Sequence, residues 1–192
     1  MVRLDKIVTK AGDGGKTRLA TGEEVAKHSA RVEAYGAADE TNAAVGVARL
    51  HLAASPDLDE ILARVQNDLF DLGADLATPE RGKPLPFEAL RIQESQVDRL
   101  EREVDAVNEK LAPLTSFILP AGTPAAAHLH LARTIARRAE RAVARLMEDP
   151  AERVSPAALK YLNRLSDLLF VAARAANGNG ADDVLWKPGA TR

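Results

Sequence analysis

The chain has no cysteine, few aromatic residues and no long uninterrupted apolar run. Without cysteine, neither a disulfide framework nor a thiolate metal site can form. Aromatics make up 4% of residues against 46% hydrophobic overall, so the core has to be built from Ala, Leu and Val. That supply suits close-packed helices better than a sheet, which draws on β-branched and aromatic side chains. No stretch approaches the roughly 18 consecutive apolar residues of a membrane span, so none is expected. The opening MVRLDKIVTK lacks the apolar core of a signal peptide, and a cytoplasmic location is the expectation. An excess of one charge is missing too. Lys and Arg number 26 against 28 Asp and Glu, a net of −2, which gives no reason to expect a nucleic-acid or membrane partner. What is present is 192 residues, enough for one domain with a real core.

Residues 1–28 are the least regular. Asp5-Lys6-Ile7-Val8 reads as a short extended piece, followed by Thr9-Lys10-Ala11-Gly12-Asp13-Gly14-Gly15-Lys16-Thr17. Glycines let backbone N–H groups converge on an anion, and Lys and Thr add charge and hydroxyls. The same glycines also suit an ordinary flexible loop. Gly15-Lys16-Thr17 looks like the end of a phosphate-binding P-loop, but that motif's leading glycine would fall on Lys10, so it is not one as written.

Five helices follow. The first is expected from Ser29 to Ala54, with small residues at Gly36, Ala43 and Gly46 and an acid, Asp39, among apolar neighbours. Asp39 either faces water or has a cationic partner, because a lone buried carboxylate is costly. Ser55-Pro56 starts the second helix, with serine as cap and proline in the first turn. Its apolar stripe runs from Leu58 to Leu76. The proline-rich 78–87 must be a loop. The third helix is expected over Glu88–Leu111, with Val97, Leu100, Val104, Val107 and Leu111 as a bundle seam.

Phe117 to Pro120 reads as a strand-like run, and Ala121-Gly122-Thr123 as a turn into the fourth helix, Pro124–Met147. There Arg133, Arg137 and Glu140 share one face at i, i+4 and i+7, and Arg138 and Arg141 add to a basic stretch. That stretch fits an anionic ligand, a solvated face or RNA. The interspersed Glu140 and the acidic total argue against RNA. His128 and His130, two apart, point in different directions and make a poor metal pair. Ser155-Pro156 opens the fifth helix, Ala157–Asn177, where Asn163 has poor helix propensity and hints at a hydrogen-bonding task. Gly178-Asn179-Gly180 stops it, and a short tail follows. The expectation is one all-α domain over 1–192: an irregular segment 1–28, a helical bundle 29–177 and a tail 178–192.

Four segments, TKAGDGGKT (9–17), RVEAYGAADETN (31–42), FILPAGT…HLHLARTIARRAER (117–141) and LKYLNRLSDLLF (159–170), together resemble the propanediol-utilisation type of ATP:corrinoid adenosyltransferase. The match spans most of the chain in order. The resemblance implies an up-and-down five-helix bundle, assembled as a homotrimer with sites at subunit interfaces. The implied reaction is attack of cob(I)alamin on C5′ of ATP, giving adenosylcobalamin and triphosphate, with Mg²⁺ and a reductase for cob(II)alamin. It further implies ATP contacts at Thr9, Lys10, Ala11, Gly12, Thr17, Arg18 and Lys27. The run Arg137, Arg138, Ala139, Glu140 and Arg141, together with Asn163, is implied as a second set. Arg137 is the candidate for the triphosphate, and no metal ligand is identified. Asp39 and Arg133 match a paired acid and base that hold the subunit interface and site in shape. Phe117 and Phe170 match aromatics on the corrinoid side, though either residue type is also ordinary core. Two positions depart from the usual family pattern: Ala121 stands where a glycine is common, and Thr41 where a leucine is. Rival readings are a phosphotransferase, suggested by GGKT, and a non-catalytic nucleotide-binding bundle.

Overall fold

The computed structural model describes residues 8–82 and 84–192. The extended piece expected at 5–8 therefore lies, except for Val8, outside the described residues. Five helices carry the fold: α1 (Ala30–Arg49), α2 (Pro56–Leu76), α3 (Glu94–Asn108), α4 (Pro124–Met147) and α5 (Pro156–Ala176). A short hairpin, β1 (Lys16–Arg18) and β2 (Glu24–Ala26), precedes them.

α1 packs between α2 and α4, α4 between α1 and α5, and α5 also against α3. Side chains close the ring, since Arg64 of α2 pairs with Glu103 of α3 at 2.9 Å. Both helices of the α1–α4 contact are rich in buried small residues, Ala34, Ala37, Ala38 and Ala48 in α1 and Ala125, Ala132, Ala136 and Ala139 in α4. Alanine costs little entropy in a helix and lets backbones approach closely. Larger residues, among them Leu62, Leu69, Leu72, Leu100, Leu129, Leu162 and Leu165, fill the remaining core, each worth roughly 1.5–3 kcal/mol when fully buried. One apolar cluster runs through all five helices. A buried polar knot crosses it: Asp68 accepts from the Tyr161 hydroxyl at 2.8 Å and from Gln96 Nε2 at 2.8 Å, and pairs with Arg99. Burial, then the Asp68 charge, pushes the Tyr161 hydroxyl well up, so it stays a donor. Among the described residues, no helix is long and apolar enough to cross a membrane.

Three boundaries and one cap differ from the sequence expectation. α1 ends at Arg49, not Ala54, because i→i−3 bonds from Leu50, His51 and Leu52 tighten its last turn. Ser55 does not cap α2 with its side chain, whereas Ser155 Oγ accepts from Ala157 N at 3.2 Å as expected. α3 starts at Glu94, not Glu88. Residues before it are held instead as an extended strap over the end of α2. There Ile92 N–H donates to Asp75 Oδ2 at 2.9 Å, and Arg91 Nη1 donates to Asp75 Oδ1 and Thr78 O. α3 also stops at Asn108 rather than Leu111, its last residues making single turn bonds.

The N-terminal segment is not wholly irregular. β1 and β2 pair antiparallel with Thr17 opposite Val25, and Gly22 at φ +84° makes the turn. Leu19 is buried, and Ala20 N–H donates to Ala77 O at 3.0 Å, which seats the hairpin on the C-terminus of α2. Arg81 locks it there, gripping Glu23 on one side and Glu152 on the other. Strands of three residues are too short for a two-residue period to show in sequence.

Candidate active site

The buried stripe of α4 turns Arg133, Arg137, Arg138 and Arg141 away from the core. Arg137 and Arg141 are exposed and have no carboxylate partner among the described residues; Arg141 Nη1 donates to Arg137 O at 3.0 Å. Arg138 reaches across to pair with Glu40 of α1, a partner that sequence reasoning missed. Glu140 is half-buried and accepts from Asn163 Nδ2 of α5 at 2.7 Å. The α4–α5 packing thus brings Glu140 and Asn163 together and gives the out-of-place helical asparagine a task. Ala139 is an exception within this run. It is 0% exposed, part of the stripe facing the core, so its side chain is not a ligand contact.

A second set sits at the N-terminus. Lys10 adopts φ +59°, a left-handed conformation uncommon for lysine. Asp13 N–H donates to Lys10 O and Gly15 N–H to Gly12 O, curling the loop. Thr9 Oγ1 lies 3.5 Å from Ala11 N. Lys27 crosses this curl: a Cβ at Gly12 would lie 2.7 Å from its Nζ, and its N–H donates to Gly15 O at 2.9 Å. Thr17 is half-buried in the hairpin, and Arg18 is exposed beside it. Thr9, Lys10, Ala11 and Gly12 thus curl together with Lys27 laid across them, and Thr17 and Arg18 sit in the adjoining strand β1. Among the described residues, no hydrogen bond or ion pair joins them to the α4 arginines.

Asp39 and Arg133 do not pair within the chain. Asp39 is exposed on α1, lining a groove with Tyr35, Asn42, Phe70 and Gly73, and makes no ion pair among the described residues. Arg133 is half-buried and its Nε is buried without a partner. Burial, then the charge of Arg137, pushes its guanidinium pKa down. Of Gly36, Ala43 and Gly46, the last alone is closely approached, by Gln66 Nε2; Gly36 meets open space and Ala43 is exposed. Thr41 is fully buried, its hydroxyl satisfied by Ala37 O at 2.8 Å, so the polar replacement sits in the core without an unpaired group.

The two phenylalanines have different surroundings. Phe117 is 77% exposed, which excludes core packing; its ring stands 6.1 Å from Trp186. Leu119, Val184, Leu185 and Trp186 are also exposed and continue this apolar patch. Phe170 is partly buried and meets His130 edge-on at 6.2 Å. His130 is buried with neither ring nitrogen paired, and burial, reinforced by Arg133, lowers its pKa, so it is neutral. His128 points elsewhere and stacks on His51 at 4.7 Å. The strand-like run expected at Phe117–Pro120 is matched by the tail. Ile118 bridges Leu185, Leu119 N–H donates to Val184 O, and Trp186 N–H donates to Phe117 O. The tail's docking was missed from sequence; the signal on offer was the chain's single tryptophan next to Val184 and Leu185.

The glycine needed in the turn is Gly122, not position 121. Gly122 has φ +112°, and a Cβ there would fall 2.3 Å from Asn177 Oδ1. Ala121 is outside the left-handed region, so its departure from the family pattern costs no strain.

Three comparisons bear on this arrangement. The family profile described as cobalamin adenosyltransferase matches residues 7–176. A corrinoid adenosyltransferase of Mycobacterium bovis is 49% identical over 193 aligned positions, covering 100% of this chain and 97% of that protein. One from Bacillus subtilis is 41% identical over 186 positions, covering 95% and 92%. A solved variant of a PduO-type ATP:corrinoid adenosyltransferase from Lactobacillus reuteri, complexed with cobalamin and ATP, superposes with a TM-score of 0.85 at 38% identity. It covers 95% of this chain and 97% of that one. A second variant from the same organism, complexed with ATP, gives 0.83 at 39% identity, covering 94% and 100%.

Proposed function

The chain belongs to the cobalamin adenosyltransferase family and is an ATP-dependent corrinoid adenosyltransferase; from that premise we propose how its own residues perform the reaction. The corrinoid is cob(I)alamin. Its cobalt electron pair forms the bond to C5′ of ATP, the C5′–O bond breaks, and that pair leaves with the triphosphate. The nucleophile is strong and needs no general base. The protein has to align C5′ with cobalt and stabilise charge on the departing group.

The observation that carries this reading is the outward row Arg137–Arg141, in which the exposed Arg137 and Arg141 guanidiniums have no carboxylate partner among the described residues while a core-facing stripe fixes their helix. Arg137 and Arg141 take the triphosphate, and Arg138 exchanges Glu40 for it. Glu140 and Asn163 form the floor beside them. Lys10, Lys27 and the N–H groups of the curled loop supply the second phosphate-binding surface, with Thr9, Ala11, Gly12, Thr17 and Arg18 shaping it. The exposed patch at Phe117 suits the flat apolar face of a corrinoid, and Phe170 lines the same side from α5. Phe117 would meet the corrinoid on this patch, and a separate reductase in the cytoplasm would supply the electron that converts cob(II)alamin to cob(I)alamin.

Among the described residues, no hydrogen bond or ion pair joins the two phosphate surfaces, and Asp39 and Arg133 each lack a partner. Both facts support a homotrimer in which Asp39 of one subunit meets Arg133 of the next and the site is completed at the interface. Among the described residues, no three His, Asp or Glu side chains converge as a metal cage. A Mg²⁺ held chiefly by the triphosphate oxygens fits that donor set, and it would offset charge on the leaving group. Incubation with ATP and chemically reduced cobalamin tests the whole reading. A light-sensitive cobalt–carbon bond with triphosphate release is expected; ADP release or binding without turnover would overturn it.

A further inference from the structure

We propose that Asn177, with the Arg174–Asp183 ion pair beside it, is a positioning residue that sets Phe117 against the corrinoid; this rests on the corrinoid-side reading of Phe117. Asn177 is the C-cap of α5 and is 1% exposed. Its side chain bonds nothing in its own helix. Oδ1 accepts from Thr123 N at 2.9 Å, and Nδ2 donates to Ala121 O at 3.2 Å and to Asp183 Oδ1 at 3.3 Å. A helix stop alone would not need this amide, because Gly178, Asn179 and Gly180 all take left-handed backbone and end α5 by themselves.

Arg174, also buried, extends the clamp. Its Nε donates to Asp183 Oδ2 at 2.8 Å and its Nη2 to Ala112 O at 2.8 Å. Four segments therefore meet at one buried point: the end of α3's loop, the 121–123 turn, the end of α5 and the start of the tail. From that point two chain segments run out together. Leu119 N–H donates to Val184 O at 2.7 Å, Trp186 N–H to Phe117 O at 2.8 Å, and Ser116 Oγ to Trp186 O at 3.1 Å. Phe117 stands at the outer end of this ribbon, and among the described residues its one aromatic neighbour there is Trp186. Its position is therefore transmitted from the clamp through the ribbon, not imposed by the core. Gly122 is part of the device, since a side chain there would displace the Asn177 amide.

Trp186, the only tryptophan, reports on the ribbon directly. In Asn177→Ala, with helical circular dichroism retained, Trp186 emission should shift to the red and become more open to acrylamide. Turnover from cob(II)alamin with reductant should fall on the order of 10- to 100-fold, as a roughly 1 Å misplacement does. The KM for ATP should stay within about twofold, since ground-state ATP binding is untouched. Asp183→Asn should move all readouts in the same direction and serves if Asn177→Ala loses helix. Unchanged Trp186 emission and quenching would overturn the clamp. A released Trp186 with wild-type corrinoid kinetics would overturn the positioning role. Phe117→Ala is the control: wild-type turnover there refutes the premise and the positioning role with it, while a Trp186 response in Asn177→Ala would still identify the clamp as the part that survives.

Discussion

Replacing Arg137 by alanine should separate rate from stability. The Arg137 side chain is exposed and makes no ion pair among the described residues; only its carbonyl is engaged, by Arg141, and alanine keeps that carbonyl. One turn away on either side stand Arg133 and Arg141, both cationic. A like-charge pair at i, i+4 costs about 0.2–0.5 kcal/mol, so relieving two of them should stabilise the unliganded protein by about 0.4–1 kcal/mol. For a chain of this size that raises the melting temperature by roughly 1–4 °C. Catalysis should move the other way. A preorganised charge donor at the leaving group is worth about 2–4 kcal/mol, or roughly a 30- to 900-fold loss of rate. The assay is formation of the cobalt–carbon bond from ATP and cob(I)alamin, run beside thermal unfolding with and without ATP. ATP at about 100 times Kd should stabilise the wild type by roughly 2.7 kcal/mol, and the variant by less at the same concentration. Near-normal turnover would refute the assigned role. A melting point several degrees lower without ligand would show that Arg137 holds the fold instead.

Other perturbations test the remaining parts. Asp39→Asn should leave each subunit as stable as before, since the carboxylate is exposed and unpaired among the described residues, but should weaken the proposed trimer; sedimentation showing unchanged assembly with full activity would count against the Asp39–Arg133 contact. Acid should destabilise the protein through Glu152. Burial alone would raise its carboxyl pKa, but hydrogen bonds from Arg81 and Arg31 outweigh burial and hold it low. A depressed carboxylate contributes stability above its unfolded pKa of about 4.3, and that contribution fades as pH falls through and below it. Unfolding curves from pH 7 down to about 3 should therefore be steeper for the wild type than for Glu152→Gln; parallel curves would refute the linkage. Gly122→Ala should destabilise by about 1–3 kcal/mol from backbone strain alone, with the Asn177 clash on top. Ala121→Gly should cost at most about 1 kcal/mol, and similar losses in the two would contradict the turn geometry.

What was legible in the sequence was what depends on neighbours along the chain. Each helix carries an apolar stripe of its own at helical spacing, so α2, α4 and α5 appear with ends within a residue or so. The basic run on α4 and the odd asparagine on α5 were visible as chemistry before either had a partner. Segments whose structure depends on distant residues were not legible. Residues 88–93 have acceptable helix composition and are extended only because Asp75 and Thr78 capture Arg91 and Ile92. The hairpin is held by residues distant in sequence: Arg81 grips Glu23 and is itself fixed on Glu152, which Arg31 of α1 also binds, and Ala20 N–H donates to Ala77 O at the end of α2. Nothing local in Val184-Leu185-Trp186 says that it will pair with Phe117–Leu119.

By itself, then, the sequence determined the all-α class, the composition of an alanine- and leucine-built core, and the stretches that bear the chemistry. Tertiary structure alone decided which of those residues face the core, which face solvent and which meet one another. It turned Ala139 into the core, left Asp39 and Arg133 without each other in one chain, joined Glu140 to Asn163, and hung Phe117 on a ribbon anchored at Asn177. The reason is the range of the interactions. Helical periodicity is set by bonds four residues apart, whereas ion pairs, buried amides and strand pairs join residues dozens of positions apart that meet only after the helices have packed.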